Sequence, residues 1–202
     1  MQHAPLIWIV VSLLGWACQP AAPERVFPLE EISEGDLAFR CGYGVFSRAV
    51  TAAEEEGVYS HVGVIVRDNG RWRVVHAVPG EKESKEDFDR VKIEDLELFY
   101  AGKRALKGCL AHTGLKDSAL VRSLCRAATR AAQDSVRFDH HYLLEDSTEV
   151  YCTEFVWRLY RQCRVDLSEG RRRSVHAFHI HGDVLLPEHL LAYSGNDVYY
   201  SY

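Results

Sequence analysis

The chain has 202 residues, a formal charge of −5 at neutral pH and 47% hydrophobic residues. This length suits one domain with a buried core, and the composition is that of an ordinary globular protein. The chain is acidic overall and its one basic cluster, Arg171 to Arg173, is local, so it lacks the extended basic surface of nucleic-acid-binding proteins. We therefore predict a globular domain that does not bind nucleic acid.

An apolar run, LIWIVVSLLGWA, occupies residues 6–17. It is too short to span a bilayer and has the length of the hydrophobic region of a secretory signal. With the Cys and the Pro/Ala-rich stretch that follow, it resembles a bacterial lipoprotein signal, which implies a lipidated Cys18 and membrane attachment. A plain cleaved signal and a short anchor are the alternatives. We predict a signal peptide over residues 1–18, a linker over residues 19–33 and export to the bacterial cell envelope, either the periplasm or the outer surface.

The remaining chain, residues 34–202, predicts one α+β domain in which a small antiparallel sheet packs against helices. Apolar residues recur at helical spacing over residues 116–133 and 152–163, and each segment predicts a helix. A short apolar stretch followed by glycines at residues 35–44 predicts a strand and a loop. The segment over residues 46–57 predicts a short helix that a glycine ends.

Two β-branched runs, residues 61–66 and 71–78, are separated by RDNG, and an Asn-Gly pair is typical of a two-residue hairpin turn. Such a turn fixes which residues lie opposite each other. In that register Gly63 faces His76, and His61 lies diagonally from His76 on the same face of the hairpin. We therefore predict that the two imidazole rings are close enough to meet.

Six cysteines are present, and removal or acylation of Cys18 leaves five, so at least one thiol stays unpaired. The chain contains no C-x-x-C pair, which argues against a cysteine-based zinc site. Cys152 stands at the beginning of the second predicted helix, where free N–H groups and the helix dipole favour a thiolate. Cys125 and Cys163 lie within helical segments and are expected in the core. Cys152 is therefore the candidate nucleophile.

The segments EGDLAFRCGYG, YSHVGVIV, WRVVHAVPG, YCTEFVW and LLPEHLLAYS, spread over about residues 34–194, resemble the YiiX/YebB-like family of circularly permuted NlpC-type, papain-like cysteine hydrolases. The resemblance implies a permuted papain-like fold with Cys152 as the nucleophile and His61 as the base. It implies His76 as the third catalytic residue, at a position where many relatives carry Glu. The expected reaction is acyl transfer to Cys152 followed by hydrolysis, with no metal and no cofactor.

The expected substrates are a cell-wall peptide, with peptidoglycan as one candidate, or an acyl amide or lipid. Three other functions stay open: a non-catalytic binding module on the same fold, an acyltransferase, and a metal hydrolase. The metal hydrolase would use His176, His179 and His181, with His140 and His141 near them in the sequence. No H-E-x-x-H motif accompanies these histidines.

Overall fold

The computed structural model describes residues 25–54, 57–144, 148–177 and 180–202. The predicted signal peptide, Cys18 and the first part of the predicted linker lie outside the described residues. Within the described ranges, no helix combines the length and the apolar character that crossing a membrane requires. Export and lipidation therefore stay predictions.

Helices and strands alternate irregularly along the described chain, as the α+β prediction requires. The helices are α1 (Val45–Ala53), α2 (Leu96–Phe99), α3 (Ser118–Gln133), α4 (Cys152–Gln162) and α5 (Pro187–Leu191). The strands are β1 (Leu37–Cys41), β2 (His61–Asp68), β3 (Arg71–Val78), β4 (Arg90–Asp95), β5 (Lys107–His112), β6 (Arg137–Phe138), β7 (Glu149–Val150), β8 (Arg173–Ala177), β9 (Ile180–Val184) and β10 (Asp197–Ser201). The two longer predicted helices are confirmed as α3 and α4. The Asp117 side chain caps α3 by accepting hydrogen bonds from its first N–H groups.

Eight strands form one sheet in the order β10-β5-β1-β2-β3-β4-β6-β7, and β8 pairs with β9 in a separate hairpin. Neighbours in the large sheet are antiparallel except for the short parallel pair β6 and β7. The α+β class is confirmed, but the sheet is larger than the small one predicted. Its outer strands are short and pair with strands distant in the sequence, so local patterning does not reveal them.

The hairpin of β2 and β3 has the predicted register, with Val64 opposite Val75. Its turn residues Asn69 and Gly70 both have positive φ, 48° and 79°, as the two-residue turn requires. Because the turn sets the parity of the pairing, the side chains that face each other on this hairpin follow from the sequence.

The sheet carries a core on each face. Helices α3 and α4 pack on one face, and α2 packs on the other. The second core includes Phe27 and Ile32, which are buried together with Tyr100, and Arg25 donates a hydrogen bond to the Ala105 carbonyl at 2.7 Å. Part of the segment predicted as linker therefore packs against the domain, because its apolar residues complete this core.

Candidate functional site

The side chains of His61 and His76 meet inside the protein. The Nε2 atom of His61 lies 2.8 Å from Nδ1 of His76, and the ring planes are inclined by 80°. The two residues are 8% and 0% exposed. A Cβ atom added to Gly63 would lie 2.5 Å from Val74 Cγ1 and 3.0 Å from the His76 Cβ, so the close approach of β2 and β3 at His76 requires a glycine. The structure thus brings together the two histidines that the hairpin register pairs.

Both histidines are neutral at neutral pH. Burial lowers the pKa of His61 well below its ordinary value, and the positive charge of Arg40 and the neighbouring His76 lower it further. Burial also lowers the pKa of His76, although hydrogen bonding and the charge of Glu94 oppose this effect. In a neutral pair one ring nitrogen donates and the other accepts, so the tautomers of the two rings depend on each other.

Glu94 on β4 is a third member of the site that sequence reasoning did not find. Its Oε2 atom lies 3.5 Å from Nε2 of His76, and Arg104 Nη1 donates to both carboxylate oxygens at 2.8 and 2.7 Å. Burial raises the pKa of Glu94, but His76 and Arg104 outweigh burial and bring the pKa to about 2. Alternation along β4 places Lys92 and Glu94 on one face, which is the signal the sequence contains.

A row of buried and half-buried charges continues behind Glu94. Arg104 also binds Glu81 at 2.8 Å, and Glu81 in turn binds Arg40. Arg40 donates to the Phe99 carbonyl at 2.8 Å and its guanidinium stacks 4.4 Å from the centre of the Phe99 ring. Arg104 holds the Glu94 carboxylate in place, since removing Arg104 would leave this buried carboxylate without its cation.

Cys152 is the first residue of α4 and is 8% exposed. Burial raises the pKa of its thiol to about 11, although the backbone N–H groups of Val62, Thr153 and Cys152 itself and the charge of Arg40 lower it. The contact with Val62 places the sulfur beside β2, one residue from His61. The expected stabilisation of the thiolate by the helix start is present, but the burial of the sulfur outweighs it. The resting thiol is therefore neutral.

The raised pKa predicts how the Cys152 thiol reacts with iodoacetamide. Because only the thiolate reacts and its fraction grows with pH below the pKa, we expect the alkylation rate to rise about tenfold per unit between about pH 7 and pH 10. Mass spectrometry of the Cys152 peptide measures this rate. The Cys109 peptide, whose thiol is also buried, reports unfolding. A rate that levels off below neutral pH would contradict the prediction.

The beginning of α4 is anchored on both sides. Glu154 accepts a hydrogen bond from the Tyr151 N–H at 3.3 Å and pairs with Arg158 at 2.7 Å. Thr153 donates to the Leu185 carbonyl at 2.7 Å, and the Tyr151 hydroxyl accepts from the Leu185 N–H at 2.9 Å. These bonds hold the helix start, and with it the Cys152 sulfur, in one position.

An apolar cavity of about 180 Å³ opens beside Cys152. It is lined by side chains of α1, β8, β9 and α5, of the start of α4 and of the loops beside them: Phe46, Ala49, Val50, Ala53, Ser60, Tyr142, Tyr151, Cys152, Thr153, Val175, Val184, Leu185, Leu186 and Pro187. The Thr153 hydroxyl is bonded to a carbonyl, and the Ser60 hydroxyl accepts from the Gly42 N–H at 3.2 Å. The outer wall is α1, whose Phe46 is 43% exposed. The cavity therefore offers mainly hydrocarbon surface to a ligand.

The histidines of the metal alternative are only partly described. His176 lies in β8 and is exposed, whereas His179 lies outside the described residues and nothing is described of the His181 side chain. His140 and His141 lie in the loop between β6 and β7. Among the residues that the structure describes, no three or more His, Cys, Asp or Glu side chains are placed to hold a metal ion.

The other described cysteines are free thiols, and three of them are buried: Cys109, Cys125 and Cys163. Cys125 and Cys163 contribute to the core around α3 and α4, as expected from their positions in the sequence. Burial raises the pKa of Cys125 to about 12, so this thiol is also neutral. Its position at the apolar cavity and beside the strand that carries His61 therefore distinguishes Cys152 from the buried core thiols.

Fold and site together define an α+β protein in which a helix-start cysteine lies beside strand β2, and a buried row of two histidines and a glutamate begins on that same strand. The fold is similar to that of the metalloprotein YiiX from Escherichia coli O157:H7, with a TM-score of 0.68 and 18% identity over 84% of this chain and 97% of that chain. This likeness confirms a YiiX-like fold. No family model and no curated protein matches the sequence.

Proposed function

We propose that the protein is a cysteine hydrolase that cleaves an amide or ester bond through a thioester at Cys152, on a permuted papain-like fold. The observation that carries this proposal is one juxtaposition. The Cys152 sulfur lies at an apolar cavity and beside the strand on which His61 begins the row of His61, His76 and Glu94. A nucleophile, a base and groups that orient the base are the parts that acyl transfer requires.

In the proposed reaction, His61 takes the thiol proton while the Cys152 sulfur attacks the carbonyl carbon. Attack and proton transfer are coupled because both groups are neutral at rest. His61 then gives the proton to the leaving amine or alcohol, and the thioester remains. Water, deprotonated by His61, attacks the thioester and releases the acid and the thiol. The Cys152 N–H at the start of α4 is a donor for the oxyanion.

The cavity favours an apolar acyl group over a cell-wall peptide. Peptidoglycan peptides carry carboxylates and amides, and the described lining of the cavity contains no Lys or Arg and only two non-aromatic hydroxyls, both already bonded. Each buried methylene contributes about 0.8 kcal/mol to binding, so an unbranched chain gains affinity here as it lengthens. We therefore propose acyl amides or acyl esters as the substrate class and keep peptidoglycan peptides as the comparison.

The proposed setting is the bacterial cell envelope, with membrane attachment through a lipidated Cys18. The support is the sequence of residues 6–17 and the Cys that follows. A membrane-attached enzyme would act where substrates with apolar chains collect, which fits the apolar cavity beside Cys152.

Chain length provides the test of the substrate class. We expect kcat/KM on nitrophenyl esters and N-acyl amides, from acetyl to decanoyl, to rise about tenfold for each two methylenes until the cavity is full. Ala49→Trp fills the cavity from the α1 wall and should shorten the best chain. Ala52→Trp, at an exposed residue of the same helix that does not line the cavity, is the matched control and should not.

Purified muropeptides are assayed beside the acyl series. Cleavage of muropeptides without cleavage of the acyl compounds would overturn the substrate class but not the hydrolase. Cleavage of neither would favour a non-catalytic binding module. Product analysis distinguishes an acyltransferase, which moves the acyl group to an added amine or lysolipid, from a hydrolase, which releases the free acid.

The metal hydrolase stays an alternative because the E. coli protein of similar fold is a metalloprotein. The described residues of this chain contain no set of three metal ligands, and His179, which this alternative needs, lies outside them. Metal analysis of the purified protein is the direct check. Stoichiometric zinc whose removal abolishes activity, and whose return restores it, would overturn the cysteine mechanism.

A further inference from the structure

We infer that Glu94 is a positioning residue that acts through His76 to hold His61 in the tautomer able to accept the Cys152 proton. The inference rests on the proposed function for its catalytic consequence, while the tautomers themselves are measurable without any activity. It goes beyond the pair of histidines, because it assigns the negative charge of the site to a residue that touches neither Cys152 nor His61 in the described contacts.

One ring nitrogen of His61 is free to react. Its Nε2 atom lies 2.8 Å from Nδ1 of His76, so Nδ1 is the nitrogen that takes the thiol proton in the proposed reaction. A neutral imidazole accepts only at the nitrogen without hydrogen, so His61 must carry its hydrogen on Nε2. That hydrogen is donated to His76, and Nδ1 of His76 must be the acceptor.

The other ring nitrogen of His76 faces Glu94. With Nδ1 accepting, the hydrogen of neutral His76 is on Nε2, the atom that lies 3.5 Å from Oε2 of Glu94. No other described atom bonds to Nε2. A carboxylate can only accept, so it favours this tautomer and opposes the one that points a lone pair at it. The 3.5 Å contact is long for a hydrogen bond, and contacts of this kind shorten when charge develops in the reaction.

Positive charge develops on the histidine pair in the proposed reaction. When Nδ1 of His61 takes the thiol proton, the Nε2 proton of His61 can move to Nδ1 of His76, which makes His61 neutral and His76 cationic beside Glu94. No proton is gained or lost in this shift. Arg104, held by Glu81, fixes the carboxylate by binding both of its oxygens. Glu94 thus supplies the negative charge that a histidine in the third position lacks.

The test compares Glu94→Gln, Glu94→Asp and Asp95→Asn. The Gln amide can keep its oxygen on Arg104 and direct its NH₂ group at Nε2 of His76, which favours the wrong tautomers of both histidines. We expect kcat to fall about 100-fold with KM little changed, and Glu94→Asp to recover at least about tenfold of that loss. Asp95 is the next residue on β4 and pairs with Arg73 instead, so Asp95→Asn should retain full activity.

Nitrogen NMR of histidine-labelled protein gives the second measurement. In the wild type we expect hydrogen on Nε2 of both His61 and His76, and in Glu94→Gln we expect it on Nδ1 of both. Hydrogen on Nδ1 of His61 in the wild type would overturn the inference, as would a Glu94→Gln variant within about threefold of wild-type kcat. A wild type with the expected tautomers but no acyl-enzyme and no turnover would instead overturn the proposed function.

Discussion

Cys152→Ala is expected to abolish hydrolysis, with kcat/KM at least about 10,000-fold lower than that of the wild type. Without the sulfur no thioester forms, and the histidine pair has no proton to take. The substitution removes one atom at the wall of an existing cavity, so the fold should persist. Steady-state rates on the best acyl substrate measure the loss, and the circular dichroism spectrum with the unfolding temperature verifies the fold.

Two companion measurements make the Cys152→Ala result decisive. The acyl-enzyme should be detected by intact mass in the wild type at the added mass of the acyl group, and peptide mapping should place it on Cys152. Cys41→Ala, which removes another described free thiol, should retain full activity. Retention of activity by Cys152→Ala, or acylation of any other thiol, would contradict the mechanism.

His61→Gln is expected to lower kcat about 1,000-fold, because the base that removes the thiol proton is lost. The buried thiol has a pKa of about 11, so without a base only a small fraction is thiolate at neutral pH. The residual rate of this variant should therefore rise with pH, about tenfold per unit below that pKa. The rate of the wild type should not depend on this rise in pH, because His61 takes the thiol proton during attack.

The control for His61→Gln is a partly exposed histidine elsewhere on the sheet. His112 on β5 lies 3.0 Å from the Asp36 carboxylate and stacks on Tyr199, away from the apolar cavity. His112→Gln should leave kcat unchanged. If both variants lose activity to the same extent, the loss reflects stability. The assignment of His61 as base then fails, unless the unfolding temperatures of the two variants differ.

The elements that could be predicted from the sequence are those set by neighbours in the chain. Helices α3 and α4 follow from apolar residues at helical spacing and from the Asp117 cap. The register of β2 and β3 follows from the two-residue Asn-Gly turn, and with it the meeting of His61 and His76. The place of Cys152 at the beginning of a helix is equally local.

Glu94 could not be placed from the sequence. A long charged loop, residues 79–89, joins β3 to β4, and a loop of that length does not set register as a two-residue turn does. Whether Glu94 faced His76 therefore depended on how the loop is held. Glu81 within it binds Arg40 and Arg104, contacts between residues far apart in the chain.

The sequence by itself determined the two long helices, one hairpin and the position of three candidate catalytic side chains. Only the tertiary structure decided the eight-stranded sheet, the carboxylate behind His76, the apolar cavity and the protonation state of the thiol. The physical reason is clearest at Cys152. The N–H groups at the start of α4 favour a thiolate, but packing against β2 removes the sulfur from water, and this larger effect raises the pKa to about 11.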